Sequence, residues 1–297
     1  MLDRPFDQAQ GELRAHVEAV IGERHPVSSL TRLQETQEYL AGQFRSFGLA
    51  VSSHSFDALG HTFQNVIATI PPRAPGTGTR LAPLLIAAHY DTVVGSPGAD
   101  DNASGLAVLL EVARRLSAVP VSRPVRFIGF CLEEEDLLGS LAYAACLREQ
   151  KQDILGAIVL ECVGYAQPGE GSQTIPPGVP ITVPSVGDFL GVVGNTRSSE
   201  LVAGIEQAAR LHVPELNIVP LLVPGNGELL PDTRRSDHAA FWHYGYPAVM
   251  LTDTANFRNP HYHRPTDTLE TLDFTFMAKV AEAVTAAAIV LAGMENS

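Results

Sequence analysis

Three nearly continuous apolar runs, over residues 81–89, 124–131 and 154–162, alternate with segments of helical spacing at 105–117 and 140–150. A short apolar run without polar alternation marks a strand buried on both faces. Such strands separated by helices point to a largely parallel sheet with helices on both sides. Further apolar runs at 187–194, 216–223 and 247–252 continue the pattern, and strand-like segments at 49–56 and 61–70 precede it. The spacing predicts two amphipathic helices ahead of these, over 8–22 and 28–47, with Ser28 and Ser29 as caps for the second and Gly48 as its stop. Asp273 is placed to cap a long C-terminal helix. Nothing repeats at a fixed period. Residues 1–297 therefore read as one α/β domain, a three-layer sandwich whose mixed, mostly parallel sheet carries helices on both faces. The Pro/Gly-rich stretch 71–80 breaks regular structure, and the stretch 164–187 is too long for an ordinary connection, so it reads as a lid or a disordered excursion.

Composition narrows the function. Lys+Arg at 20 against Asp+Glu at 33 leaves a net charge of −13, and 45% of the chain is hydrophobic. That balance excludes a disordered chain and argues against nucleic acid or an anionic membrane as partner, since both need a basic footprint. The apolar segment starting at Phe274 contains Lys279 and Glu282, which favours a buried helix over a membrane span. The N-terminus has neither a basic nor an apolar leader region, so a cytoplasmic location is expected. Three cysteines without a C-x-x-C spacing form neither a disulfide framework nor a zinc ribbon, and Cys131 and Cys162, inside apolar runs, read as small buried hydrophobes. Nothing in the sequence sets an oligomeric state.

In an open α/β sheet, ligands bind at the carboxyl ends of the strands. Here the first run ends in His89-Tyr90-Asp91, followed by Asp100-Asp101; the next leads into Glu133-Glu134-Glu135-Asp136; the third ends in Glu161; and the last leads through Asp253 to Asn259–His263. Each strand thus delivers His, Asp or Glu to one edge. Buried carboxylates repel one another unless cations neutralise them, and a ligand set without thiolates favours zinc, manganese or cobalt in a reactive rather than a structural site. The His-x-Asp pair suits an imidazole ligand oriented by a carboxylate behind it. Adjacent Glu133 and Glu134 point to opposite sides of an extended backbone, so one can bind metal while the other moves a proton.

The segments AHYDT, GADDNASG, EEEDLLGS and NPHYHRPTDT resemble those of the co-catalytic zinc exopeptidase family that includes bacterial leucyl aminopeptidases and glutamate carboxypeptidases, with glutaminyl cyclases as relatives. The resemblance runs over about residues 66–272. It implies two zinc ions per chain, one held by His89, Asp101 and Glu161 and the other by Asp101, Glu134 and His263. It further implies Glu133 as general base, Asp91 behind His89, a cis peptide at Asp101–Asn102, and Tyr262 as a phenol facing the tetrahedral oxyanion. The segment Ser236-Asp237-His238 also resembles the family, with His238 as a substrate or oxyanion contact. Two positions depart from the pattern: Glu161 stands where the aminopeptidases usually have Asp, and Asp136 where the family usually has Gly. The implied activity is an aminopeptidase acting on a peptide or small amino-acyl substrate. Glutaminyl cyclisation or another amidohydrolysis is the alternative, and a non-catalytic module is disfavoured because every expected ligand is present. The stretches 164–187 and 225–235 are candidate pocket walls or lids; Phe241, Trp242 and Phe257 are candidates for a specificity pocket or for core. His261 and the remaining histidines read as structural or surface residues. Ser104 lacks a nucleophile elbow, and Gly76-Thr77-Gly78 is no phosphate loop.

Overall fold

Every residue of the strands β3 (Leu84–His89) and β5 (Gly156–Glu161) is buried, as a strand covered on both faces requires. They are central in an eight-stranded sheet seen in the computed structural model of the chain, which describes residues 6–73, 81–176 and 178–293. The other strands are β1 (Ala50–Ala58), β2 (His61–Ile70), β4 (Val125–Phe130), β6 (Leu190–Asn195), β7 (Ile218–Val223) and β8 (Ala248–Thr252), in the order β1-β2-β4-β3-β5-β8-β6-β7. The middle four, β4, β3, β5 and β8, run parallel; β2 joins β4 and β6 joins β8 antiparallel. The register sets His89 beside Phe130 and Glu161 beside Thr252, so these strands end level at one edge.

Alternate residues of β3 serve two cores. Leu84, Ile86 and Ala88 pack on the face covered by helices α1 (Phe6–Val20), α2 (Leu30–Ser46), α3 (Gly105–Leu116), α5 (Ser199–His212) and α7 (Phe274–Ala292). Leu85 and Ala87 face α4 (Leu138–Glu149) and α6 (His238–His243). The result is the expected three-layer arrangement. Two helices are additional to the sequence reading. In α5 the buried residues Leu201, Val202, Ile205, Ala208 and Ala209 carry a legible helical period, whereas α6, at six residues, is too short to show one.

α7 is long and apolar enough to cross a membrane, yet 61% of its apolar window is buried, with Met277, Val280, Ala281 and Val284 fully enclosed. Asp273 caps it as expected, accepting from the backbone N–H of Thr275 and Phe276 at 2.9 Å each, worth about 1 kcal/mol. Ser28 and Ser29 do not cap α2: neither hydroxyl accepts a backbone N–H at its start, and both instead donate to Glu23.

The long stretch after β5 is neither a loose lid nor an excursion over its described residues. Gln173 is buried in it, accepting from Arg258 Nε at 2.9 Å and donating to Thr254 Oγ1 at 2.8 Å. Arg258 in turn donates to the Phe189 carbonyl at 2.8 Å and lies 4.5 Å over the Phe189 ring. Residues 74–80 of the linker and Pro177 lie outside the described residues.

Candidate metal centre

The site is built from strand ends and fastened by backbone hydrogen bonds. His89, the last residue of β3, is fully buried. Two residues on, the Asp91 carboxylate accepts the N–H groups of Glu133 and Glu134, both at 3.1 Å, so the end of β3 positions the turn after β4. Asp91 Oδ1 also lies 3.6 Å from His89 Nδ1. The turn from Gly98 to Asp101 is stitched by Arg24, whose buried guanidinium donates to five backbone carbonyls, those of Val20, Gly22, Tyr90, Pro97 and Gly98. Only glycine fits at 98. Its φ is +61°, and a Cβ there would lie 2.4 Å from the Asp101 carbonyl oxygen and from Thr92 Cγ2.

The peptide between Asp101 and Asn102 is cis, as the resemblance implied. Asp267 accepts the N–H groups of Asp100 and Asp101 at 2.9 and 3.2 Å. The Asn102 side chain spans to β5, donating to Leu160 O at 2.9 Å and accepting from Cys162 N at 3.2 Å. Asp100 accepts from Asn259 Nδ2 at 2.7 Å, which ties this turn to the loop carrying His263. Leu132, Cys162 and His263 itself have left-handed backbone (φ +62°, +49° and +57°), a conformation non-glycine residues hold only where surroundings impose it. Asp136, at the family's usual glycine position, also has φ +60°, a conformation that Asp tolerates better than most residues.

These constraints bring six side chains together. His89 Nε2 lies 3.2 Å from Asp101 Oδ1, 3.4 Å from Glu161 Oε2 and 3.9 Å from Glu133 Oε2. His263 Nε2 lies 3.0 Å from Asp101 Oδ2 and 3.3 Å from Glu134 Oε2. Asp101 therefore faces one imidazole with each oxygen, between two groups of ligand atoms. Both His89 nitrogens, both Asp101 oxygens and Glu134 Oε1 are buried without a hydrogen-bond partner.

Electrostatics express the same crowding. Burial, with repulsion from Glu161, Glu134 and Asp237, pushes the Glu133 carboxyl well above its usual range, against the pull of His89. Burial and Asp101 raise Glu134 to about 7. Burial opposes a charged His263, yet Asp101 and Glu134 push it up to about 10. The cluster is thus an arrangement of negative groups that needs positive charge, with oxygen and imidazole donors free to bind it. Cys162 Sγ is close to Asp101 and Glu161, but burial and those carboxylates hold its thiol protonated. The donor set fits a hard or borderline divalent ion such as zinc.

The remaining expected residues divide. Tyr262 is at the cluster, its ring stacked on His263 with centroids 3.9 Å apart. Burial, with the surrounding carboxylates, keeps its phenol protonated far above the usual tyrosine range. His238 is not brought to the cluster: it is fully buried, its Nε2 is 2.8 Å from the Thr233 carbonyl, and its ring packs edge-on against Trp242. Its segment instead reaches the cluster through Ser236, whose hydroxyl donates to Glu161 Oε2 at 2.7 Å. Asp237 is buried too, with neither oxygen hydrogen-bonded, and burial raises it to about 7 despite His89 nearby. Ser236, Asp237, Arg24 and Asp267 escaped the sequence reading. Ser236 and Asp237 had a signal there as neighbours of His238, and Asp267 as part of the segment NPHYHRPTDT; Arg24 had none. His261 turns away to Thr266 Oγ1 at 3.0 Å.

A pocket, partly open to solvent, adjoins Glu161. Ile181, Val183, Phe189, Met250 and Phe257 line it, together with Arg235 and Tyr262. Both stretches expected as walls contribute, and so does Phe257. Phe241 and Trp242 belong to the core beneath α6, where Trp242 Nε1 donates to Ala248 O at 2.8 Å.

The sequence matches the model of peptidase family M28 over residues 65–288. The chain belongs to peptidase family M28. That makes it a hydrolase of the metallopeptidase kind. It is 35% identical over 277 residues to the uncharacterized protein YfbL of Escherichia coli, covering 88% of this chain and 81% of that protein. It is 28% identical to leucine aminopeptidase 1 of Fusarium vanettenii, over 76% of this chain but only 55% of the fungal one, so it spans about half the length of that relative. The M28 fold is shared with BSAP, a zinc aminopeptidase from Bacillus subtilis, at a TM-score of 0.73 and 18% identity, covering 98% of this chain and 96% of that one.

Proposed function

We propose that this M28 protein is an aminopeptidase that removes N-terminal residues from peptides with two zinc ions. One observation carries the reading: Asp101 turns one oxygen toward His89 and the other toward His263, and both its oxygens, both His89 nitrogens and Glu134 Oε1 are buried without hydrogen-bond partners. His89, Asp101 and Glu161 would hold one ion, and Asp101, Glu134 and His263 the other. Bound there, the ions supply Lewis acidity toward a carbonyl and an acidified water.

The chain's own residues do the rest. Glu133 stands farther from His89 than Asp101 and Glu161 do, and its raised proton affinity suits a base that takes a proton from water and returns it to the leaving amine. Asp91 keeps Glu133 and Glu134 in place through their backbone N–H groups. Ser236 holds Glu161, whose longer arm needs that restraint more than an Asp would. Tyr262 offers its hydroxyl to the oxyanion, and the pocket beside Glu161 receives the side chain of the N-terminal residue.

The test is mass spectrometry of products from the zinc-loaded protein with matched peptides bearing free, acetylated or Gln N-termini. Stepwise loss of N-terminal residues from the free peptides alone is the expected result. Loss of ammonia from the Gln peptide without cleavage would replace the reading with a cyclase.

A further inference from the structure

At the rim of the pocket, the Arg235 guanidinium reaches Tyr262: Nη2 donates to the phenol oxygen at 3.2 Å, and the guanidinium carbon lies 5.5 Å from the ring centroid. Nη1 is held by Asn256 Oδ1 at 2.8 Å, with Asp232 Oδ1 at 3.5 Å. Stacking on His263 restrains the ring of Tyr262, so the phenol oxygen is fixed by one contact at each end of its side chain. A guanidinium can only donate. The Tyr262 oxygen therefore spends a lone pair on Arg235 and keeps its own proton for another acceptor, and among the described residues that O–H donates to none. A cation bonded to a hydroxyl oxygen also polarises the O–H and strengthens the hydrogen bond it gives.

We propose that Arg235 is a positioning residue that acts through Tyr262, aiming and polarising its hydroxyl toward the oxygen of the reacting carbonyl. The inference rests on the peptidase reading and on Tyr262 facing the oxyanion. It differs from two simpler roles for the same side chain, bracing the pocket wall through Asn256 and binding substrate directly. Loss of a brace would act whether or not Tyr262 has a hydroxyl, and loss of a substrate contact would raise KM.

A double-mutant cycle separates these roles. The four zinc-loaded proteins are wild type, Arg235→Met, Tyr262→Phe and the double variant, assayed on an N-terminal leucine anilide. Tyr262→Phe is expected to lower kcat about 100-fold, as for loss of an oxyanion donor. Arg235→Met is expected to lower kcat roughly tenfold with KM changed less than about twofold, and to have almost no effect once Tyr262 is Phe. Arg235→Lys, which still donates a charged hydrogen bond, recovers part of the loss. Effects that multiply in the double variant, or a loss confined to KM, overturn the inference while leaving the peptidase reading intact. A wild-type protein that releases no N-terminal residue overturns that reading, and this inference with it.

Discussion

Replacing Glu133 with Gln tests the division between proton transfer and metal binding. Glu133 Oε2 is 3.9 Å from His89 Nε2, whereas Asp101 and Glu161 approach the same nitrogen to 3.2 and 3.4 Å. An isosteric amide at 133 therefore removes a proton acceptor and leaves the closer ligands in place. A general base contributes about 10²–10⁴ in rate, or roughly 3–5 kcal/mol at 1.36 kcal/mol per decade. The loss falls within that range because the neighbouring carboxylates are engaged elsewhere, apart from Asp237, whose oxygens are buried without a hydrogen-bond partner. Asp101, Glu134 and Glu161 are committed as proposed ligands, and both Asp91 oxygens are occupied by N–H groups. We expect kcat on a leucine anilide to fall about 10³-fold or more while metal content per chain stays unchanged. Stability moves the other way. The folded protein holds the Glu133 pKa above that of the unfolded chain, so ionisation at neutral pH favours unfolding. Removing the titratable carboxyl should therefore raise the Tm of the chelator-treated protein. Activity within tenfold of wild type at full metal content would remove Glu133 from the base role, and loss of metal would make it a ligand.

Three further outcomes are expected. Saturating zinc at about 100 times Kd should stabilise the chelated protein by about 2.7 kcal/mol per site, seen as a Tm rise of roughly 5 °C or more in scanning fluorimetry; His89→Ala should abolish about half of it, and an unchanged Tm on zinc addition would count against metal binding. His238 is lowered to about 4 by burial, so the unfolded chain takes up a proton near 6.5 that the native protein refuses. Stability is complete above 6.5 and falls by up to about 3 kcal/mol as pH drops toward 4, so urea midpoints should be less pH-dependent in His238→Gln, and parallel curves for the two proteins would refute this. Gly98→Ala forces a Cβ into the Asp101 carbonyl and should cost about 2 kcal/mol or more and weaken metal affinity by moving Asp101, which isothermal titration with zinc would show; wild-type affinity and Tm would contradict it.

The proposed metal ligands were legible because their chemistry coincides with local pattern. A buried parallel strand appears as an apolar run, so the residue that ends it, such as His89 or Glu161, is marked as lying at the ligand-binding edge before any tertiary contact is known. Six of the eight strands appeared as such runs, β1 and β2 as strand-like segments, and the cap at Asp273 was legible too. Helix α5 was legible and passed over, and α6 was too short to display a period.

What escaped the sequence depends on partners far apart along the chain. Ser28 and Ser29 have the residue types of helix caps, but the fold offers them Glu23. Phe241 and Trp242 are apolar in either setting, and only the packing of α6 against the sheet assigns them to core rather than pocket. Ser236 matters because β5 and the start of α6 meet at Glu161, and Asp267 because its loop returns to the backbone of Asp100 and Asp101, more than 160 residues earlier. By itself, the sequence determined the strands, the edge they serve and the kinds of ligand gathered there, since burial and residue chemistry are written locally. The tertiary structure alone decided which oxygen faces which imidazole, because that follows from strand order and from hydrogen bonds closed over long loops.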